Sequence, residues 1–157
     1  MAKMSSSQPI DILHDAGEQL KLFPATRYMG SKSKLLEYIW SASSQFSFES
    51  VIDLFSGSGV VSYMYKTHGK AVISNDYMAM GGVITKALIE NSKVILSLDD
   101  AEKLTSMDTP TDDFVSDTFR GIYYSDADNH FIDVVRANIA LMDNQYKKAI
   151  ADRKSVV

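Results

Sequence analysis

At 157 residues, with 45% apolar and 23% charged positions, the chain has the length and balance of one globular domain with a real core. It has no cysteine, which excludes disulfides and thiolate-metal sites, and His14, His68 and His130 lie too far apart for a standard metal-ligand spacing. The net charge of −4 does not advertise nucleic-acid binding, and neither a signal peptide nor a membrane-spanning run is visible, so a cytoplasmic protein with no membrane partner is expected.

In chain order, the first eight residues are polar and serine-rich and read as a frayed terminus, and Pro24 closes a leader over 1–23. Lys21, Arg27, Lys32 and Lys34 make a small basic stretch. Leu35, Tyr38, Ile39 and Ala42 recur at helical spacing, which predicts a helix over 31–42 capped by Ser31 or Ser33. Residues 51–55 (VIDLF) are mostly apolar and predict a strand buried on both faces. Residues 60–68 predict a helix, with Gly69 where a helix-ending glycine belongs. Residues 71–74 (AVIS) predict a second strand, and 78–98 a helix with Gly81-Gly82 as a break or close-packing point.

From residue 99 to 111 the chain turns polar, and Asp99, Asp100, Glu102, Asp108, Asp112, Asp113 and Asp117 crowd one segment that reads as a solvated loop. Apolar residues largely on one face predict a last helix over 129–148. The order strand–helix–strand–helix points to an α/β fold with a parallel sheet. Two strands are too few for a finished doubly wound sheet.

The chemistry gathers at residues 51–59, VIDLFSGSG. A strand running through Ser56-Gly57-Ser58-Gly59 into a helix makes a cradle. Backbone without Cβ can approach a ligand closely there, and the unpaired N–H groups of the helix start point at it. Asp76 follows Gly57 by 19 residues, close to the ~20-residue offset at which a carboxylate meets ribose hydroxyls. A nucleoside-containing cofactor is therefore expected. Dehydrogenases share this geometry, but the dinucleotide fingerprint wants Gly or Ala where this chain has Ser62. A P-loop is excluded, because Lys32-Ser33 lacks the preceding glycine spacing and strand.

Upstream lies Arg27-Tyr28-Met29-Gly30-Ser31-Lys32, followed by Lys34-Leu35-Leu36. Together with Asp53-Leu54-Phe55-Ser56-Gly57-Ser58-Gly59 and Asn75-Asp76, this segment resembles the adenine-specific DNA methyltransferases of the DNA adenine methylase type. Phe119-Arg120-Gly121-Ile122-Tyr123-Tyr124, Asn129-His130-Phe131-Ile132 and Arg136-Ala137-Asn138-Ile139 resemble that family's insert between cofactor half and catalytic motif. The resemblance covers residues 24–150.

It implies a Rossmann-like S-adenosylmethionine-dependent methyltransferase fold, with cofactor-binding residues over 24–98 and the start of a helical DNA-recognition insert over 99–150. It also implies methyl transfer from S-adenosylmethionine to adenine N6 in double-stranded DNA. Tyr28, Gly30 and Lys32 would lie against the cofactor, with the Lys32 ammonium on its carboxylate. Asp53 and the Phe55, Ser56, Gly57, Ser58, Gly59 turn would hold the methionine part. Asp76 would take the ribose and Tyr77 would lie beside the adenine. Arg27, Arg120, Tyr123 and Tyr124 would meet DNA through phosphate contacts and base stacking. Each also has a plainer reading, as core aromatic or solvated charge.

The family completes its site with an Asp-Pro-Pro-Tyr-type segment, whereas the prolines here are Pro9, Pro24 and Pro110, none adjacent. No catalytic residue is therefore assigned, and the chain alone is expected to be inactive. Asp152-Arg153-Lys154-Ser155-Val156-Val157 resembles one reading frame of a sequencing adapter. Residues 151–157 are expected to be foreign, with a C-terminal half carrying the catalytic motif missing. The competing readings are a non-catalytic S-adenosylmethionine- or nucleotide-binding module and an NAD-dependent oxidoreductase.

Overall fold

Two short segments rich in β-branched residues pair side by side in parallel, β1 (Ser50–Asp53) and β2 (Ala71–Ser74), in register from Ser50↔Ala71 to Asp53↔Ser74. They belong to the first of two compact units, 1–75 and 76–157. The computed structural model describes residues 12–24 and 30–155.

In the first unit, α1 (Ile12–Lys21), a 3-10 turn (Ser33–Leu35) and α2 (Leu36–Ser43) precede β1, and α3 (Val60–Thr67) joins the two strands. Both α1 and α2 pack on α3. Leu36, Val60, Met64 and Tyr65 are buried together, with Phe23, Trp40, Phe48, Val51 and Val72 packed around them. Each such side chain contributes about 1.5–3 kcal/mol when fully buried. Tyr65 meets the edges of Trp40 and Phe48, with ring centroids 6.1 and 6.0 Å apart, and Trp40 stacks on His68 at 3.7 Å.

Two expectations for this unit need correction. The strand is not buried on both faces. Side chains alternate along it, and Ile52 and Ile73, which are register partners, are 63% and 62% exposed. The α2 region opens with a 3-10 turn, Leu35 N–H donating to the Lys32 carbonyl at 2.8 Å, and no serine side chain caps it. Before Pro24, α1 is anchored by the buried Ala16. The predicted 60–68 helix and 71–74 strand match α3 and β2 to within a residue, and Gly69 ends α3 with φ 74°.

In the second unit, α4 (Ala79–Thr85) runs into a π turn (Lys86–Glu90), followed by α5 (Leu98–Leu104), α6 (Phe114–Thr118), α7 (Asp126–Ala140) and α8 (Gln145–Ser155). Helix α8 packs on α4, the π turn and α7, while α5 and α6 pack on α7. The single helix expected over 78–98 stops at Glu90. There the Asn91 carboxamide oxygen accepts from the N–H groups of Lys93 and Val94, at 3.2 and 2.9 Å, and turns the chain. The single helix expected over 129–148 is two. Asn144 accepts from the N–H groups of Tyr146 and Lys147, at 2.9 and 3.1 Å, and so starts α8 afresh.

The acidic segment is not simply a loop. Ser97 and Asp100 form a reciprocal capping box that starts α5. Asp100 is buried and pairs with Lys147 at 2.7 Å, tying α8 to α5. The Lys147 bond and those from Ser97 hold the Asp100 carboxyl well below the usual carboxylate range. Residues from 151 onward continue α8 to Ser155, with Ala149 and Ala151 buried. No helix among the described residues is long and apolar enough to cross a membrane.

Candidate functional site

Strand alternation turns Val51 and Asp53 of β1, with Val72 and Ser74 of β2, toward α3. Asp53 thus stands at the carboxyl end of β1, where a parallel strand hands over to its turn. Its Oδ2 accepts from Ser62 Oγ at 2.7 Å, and Ser62 Oγ accepts from Ser74 Oγ at 2.7 Å. Ser62 is 0% exposed.

The turn that follows is bound to the end of β2. Ser56 N–H donates to the Asn75 carbonyl at 2.9 Å, Asn75 N–H to the Asp53 carbonyl at 2.8 Å, and Asn75 Nδ2 to the Leu54 carbonyl at 3.0 Å. Gly57 and Gly59 take φ of 50° and 74°, the left-handed region that a Cβ disfavours. Gly59, which has no side chain to offer, is the N-cap of α3. Ser56, Ser58 and Gly59 are buried, whereas Phe55 is exposed. The expected strand, glycine turn and helix start are formed: a carboxylate, two left-handed glycines and the first residue of α3 lie between Asp53 and Val60. Such a site offers a carboxylate acceptor for a cationic group and backbone donors for an anionic or polar one.

The other expected cofactor residues are placed less completely. The Lys32 ammonium donates to its neighbour Gly30's carbonyl at 3.0 Å and is exposed. Arg27 and Tyr28 lie outside the described residues. In the second unit, Asp76 Oδ1 accepts from Met78 N–H at 2.9 Å, just before α4, and Tyr77 is fully exposed. Gly81 lies one turn into that helix. A Cβ there would come within 3.0–3.2 Å of Asp76 Cβ, Cγ and Oδ1, tighter than ordinary packing. Gly82 has open space instead, so close packing explains the first glycine of the pair and not the second.

Of the expected DNA contacts, Arg120 is exposed and pairs with Asp117 at 3.2 Å. It lines a 380 Å³ cavity with Asp113, Asp117, Asp126 and His130, so its surroundings are acidic. Tyr123 and Tyr124 are exposed, and Tyr123 keeps its ring 5.9 Å from Phe119. A separate cavity of 670 Å³ in the first unit runs between Leu20, Phe23, Leu36, Trp40, Val60 and Met64. Sequence reasoning missed Ser62 and Ser74, whereas Gly81 stands at an expected break or close-packing point. The signal for Ser62 was present, as a hydroxyl where a dinucleotide fingerprint wants Gly or Ala.

A family model described as D12 class N6 adenine-specific DNA methyltransferase matches residues 28–153. The chain belongs to this family. The match covers every site residue considered above except Arg27. The Type II methyltransferase M2.HphI of Haemophilus parahaemolyticus is 30% identical over 129 residues, 82% of this chain and 38% of that protein. The chain thus spans well under half the length of the curated relative it matches. No solved structure matches it.

Proposed function

We propose that this chain carries the S-adenosylmethionine-binding part, residues 24–98, and the start of the DNA-recognition insert, residues 99–150, of a DNA adenine N6-methyltransferase of Rossmann-like fold. The enzyme acts on double-stranded DNA in the cytoplasm. The observation that carries this reading is the Asp53 carboxylate beneath the Gly57–Gly59 turn at the start of α3, within the family-matched residues. Asp53 would take the ammonium of the methionine part, and the turn its polar body. Asp76, with one oxygen already on Met78 N–H, would meet the ribose, and the exposed Tyr77 would cover the adenine.

Tyr28, Gly30 and Lys32 would close over the amino-acid end, the lysine exchanging the Gly30 carbonyl for the ligand's carboxylate. Bound there, S-adenosylmethionine would supply a methyl group on its sulfonium. Among the DNA contacts, the exposed Tyr123 and Tyr124 are suited to stacking on bases, with Arg27 and Arg120 near phosphate. The family's Asp-Pro-Pro-Tyr acceptors for the adenine amine are not among these residues, and methyl transfer would need them from outside this chain.

The test is titration calorimetry of the 157-residue chain with S-adenosylhomocysteine and NAD, alongside a radiolabelled methyl-transfer assay on DNA. S-adenosylhomocysteine is expected to bind, NAD to bind far more weakly, and no label to reach DNA. Tighter binding of NAD would sink the cofactor assignment, and labelled DNA would show that the acceptors are present after all.

Gly81 makes a sharper check on the ribose role. Gly81→Ala should weaken S-adenosylhomocysteine binding about threefold to tenfold, because Asp76 must retreat by a few tenths of an ångström. Its melting temperature should hold or rise, since alanine gains ~1 kcal/mol of helix propensity over glycine. Gly82→Ala, with open space at its Cβ, should bind as the parent does. Equal binding by all three proteins would remove Asp76 from the site.

A further inference from the structure

The hydroxyl pair of Ser62 and Ser74 has a direction, and that direction ends on the Asp53 carboxylate. A carboxylate only accepts hydrogen bonds, so the 2.7 Å contact obliges Ser62 to spend its single proton on Asp53 Oδ2. The 2.7 Å contact to Ser74 is then donated by Ser74. The chain of protons runs one way, from β2 through α3 to the end of β1, and each bond polarises the next. Asp53 and Ser74 are register partners on the α3 side of the sheet, so pairing of the strands sets the span that Ser62 bridges.

Packing alone does not call for this arrangement. Ser62 is 0% exposed in the first turn of α3, where alanine is the better helix former and carries no hydroxyl to satisfy. What the two hydroxyls accomplish is to fix the rotation of the Asp53 carboxylate. With Oδ2 engaged, Oδ1 is left as the open acceptor, and no donor among the described residues reaches it.

We propose that Ser62 and Ser74 are positioning residues that aim Asp53 Oδ1 at the ammonium of the cofactor's amino-acid part. They thereby set the protein's preference for ligands that carry that part. The inference rests on the cofactor reading above and goes beyond it, because it assigns the amino-acid preference to two residues that need not touch the ligand.

The test compares S-adenosylhomocysteine with 5′-methylthioadenosine, which has the same nucleoside and no amino-acid end, by titration calorimetry on the 157-residue chain. Ser62→Ala should weaken S-adenosylhomocysteine about tenfold and leave methylthioadenosine within about twofold, as expected for one lost charge-assisted contact. Ser74→Ala, which leaves Ser62 free to rotate, should show the same selectivity at about threefold. Ser62→Thr keeps the hydroxyl and should recover most of the loss. Circular dichroism melts report whether each variant is folded, and Ser74→Ala, at the outer end of the chain, serves if Ser62→Ala is not.

Equal losses for both ligands would make the pair a mere staple between helix and sheet and overturn the proposal. Unchanged binding of both would do the same while leaving the cofactor reading in place. Failure of the parent chain to bind either ligand would overturn the cofactor reading, and this inference with it.

Discussion

Asp53→Asn is expected to weaken S-adenosylhomocysteine binding by about 30- to 100-fold, the largest loss from any single substitution in the site. Asparagine keeps the shape of the side chain and still accepts from Ser62, so the turn and α3 should stay where they are. What it removes is the negative charge facing the ligand's ammonium. Truncating one partner of a desolvated, hydrogen-bonded charge pair costs about 2–5 kcal/mol, and each ~1.4 kcal/mol is tenfold in affinity. The lower end applies here, because Asp53 is only half-buried. The check is calorimetric titration together with a thermal melt. Binding within about threefold of the parent at an unchanged melting temperature would mean that the carboxylate meets no cation, since a lost charge pair costs more.

Asp133→Ala should destabilise the second unit by about 3 kcal/mol, as expected for a buried carboxylate whose donors lose their partner. The Asp133 side chain is 0% exposed. It accepts from the N–H groups of Val115 and Ser116, both at 2.8 Å, and from Arg136 Nη1 at 3.1 Å. These two amides open α6, a five-residue helix whose own N-cap, Asp113, makes no side-chain cap bond and has φ 52°. A residue of α7 therefore does the capping for α6, and α6 has little reason to persist without it.

Burial opposes ionisation of Asp133, but the Val115 and Ser116 N–H groups and the Arg136 charge outweigh it and hold the carboxyl below its ordinary range. A carboxylate depressed in the folded state stabilises at pH above its unfolded value of about 4, and that contribution fades as pH falls through the folded value. Urea unfolding of parent and variant should therefore show a full gap at neutral pH and a narrower one near pH 3. A gap that stays constant across that range would mean that the charge plays no part.

The strand, turn and helix at the site were legible because they are written in local chemistry. β-Branched runs, a glycine pair and a helix-ending glycine act within a few residues of themselves, so β2 was read to the residue and α3 to within one. The helix ends were less legible. Asn91 and Asn144 interrupt apolar patterns that continue past them, and an Asx turn wins there only by offering the backbone other bonds. The cap of α5 is a Ser97-to-Asp100 box where the usual pattern has Glu or Gln, so it passed as part of an acidic loop. Apolar strand residues suggested two buried faces, and alternation left Ile52 and Ile73 exposed instead.

By itself the sequence determined the strand–turn–helix and the order of motifs that marks the D12 class, because these depend on residue type and short spacing. It also supplied the carboxylate at 53 and the glycines at 57 and 59. Only the tertiary structure decided which groups face them. Ser62 meets Ser74 across 12 residues, Asp133 caps a helix 17–18 residues upstream, and Gly81 grants room to Asp76. Each of these depends on a direction in space rather than a distance along the chain. A hydroxyl's or carboxylate's worth is set by the single partner it reaches, and that partner appears only when the helices have been laid down.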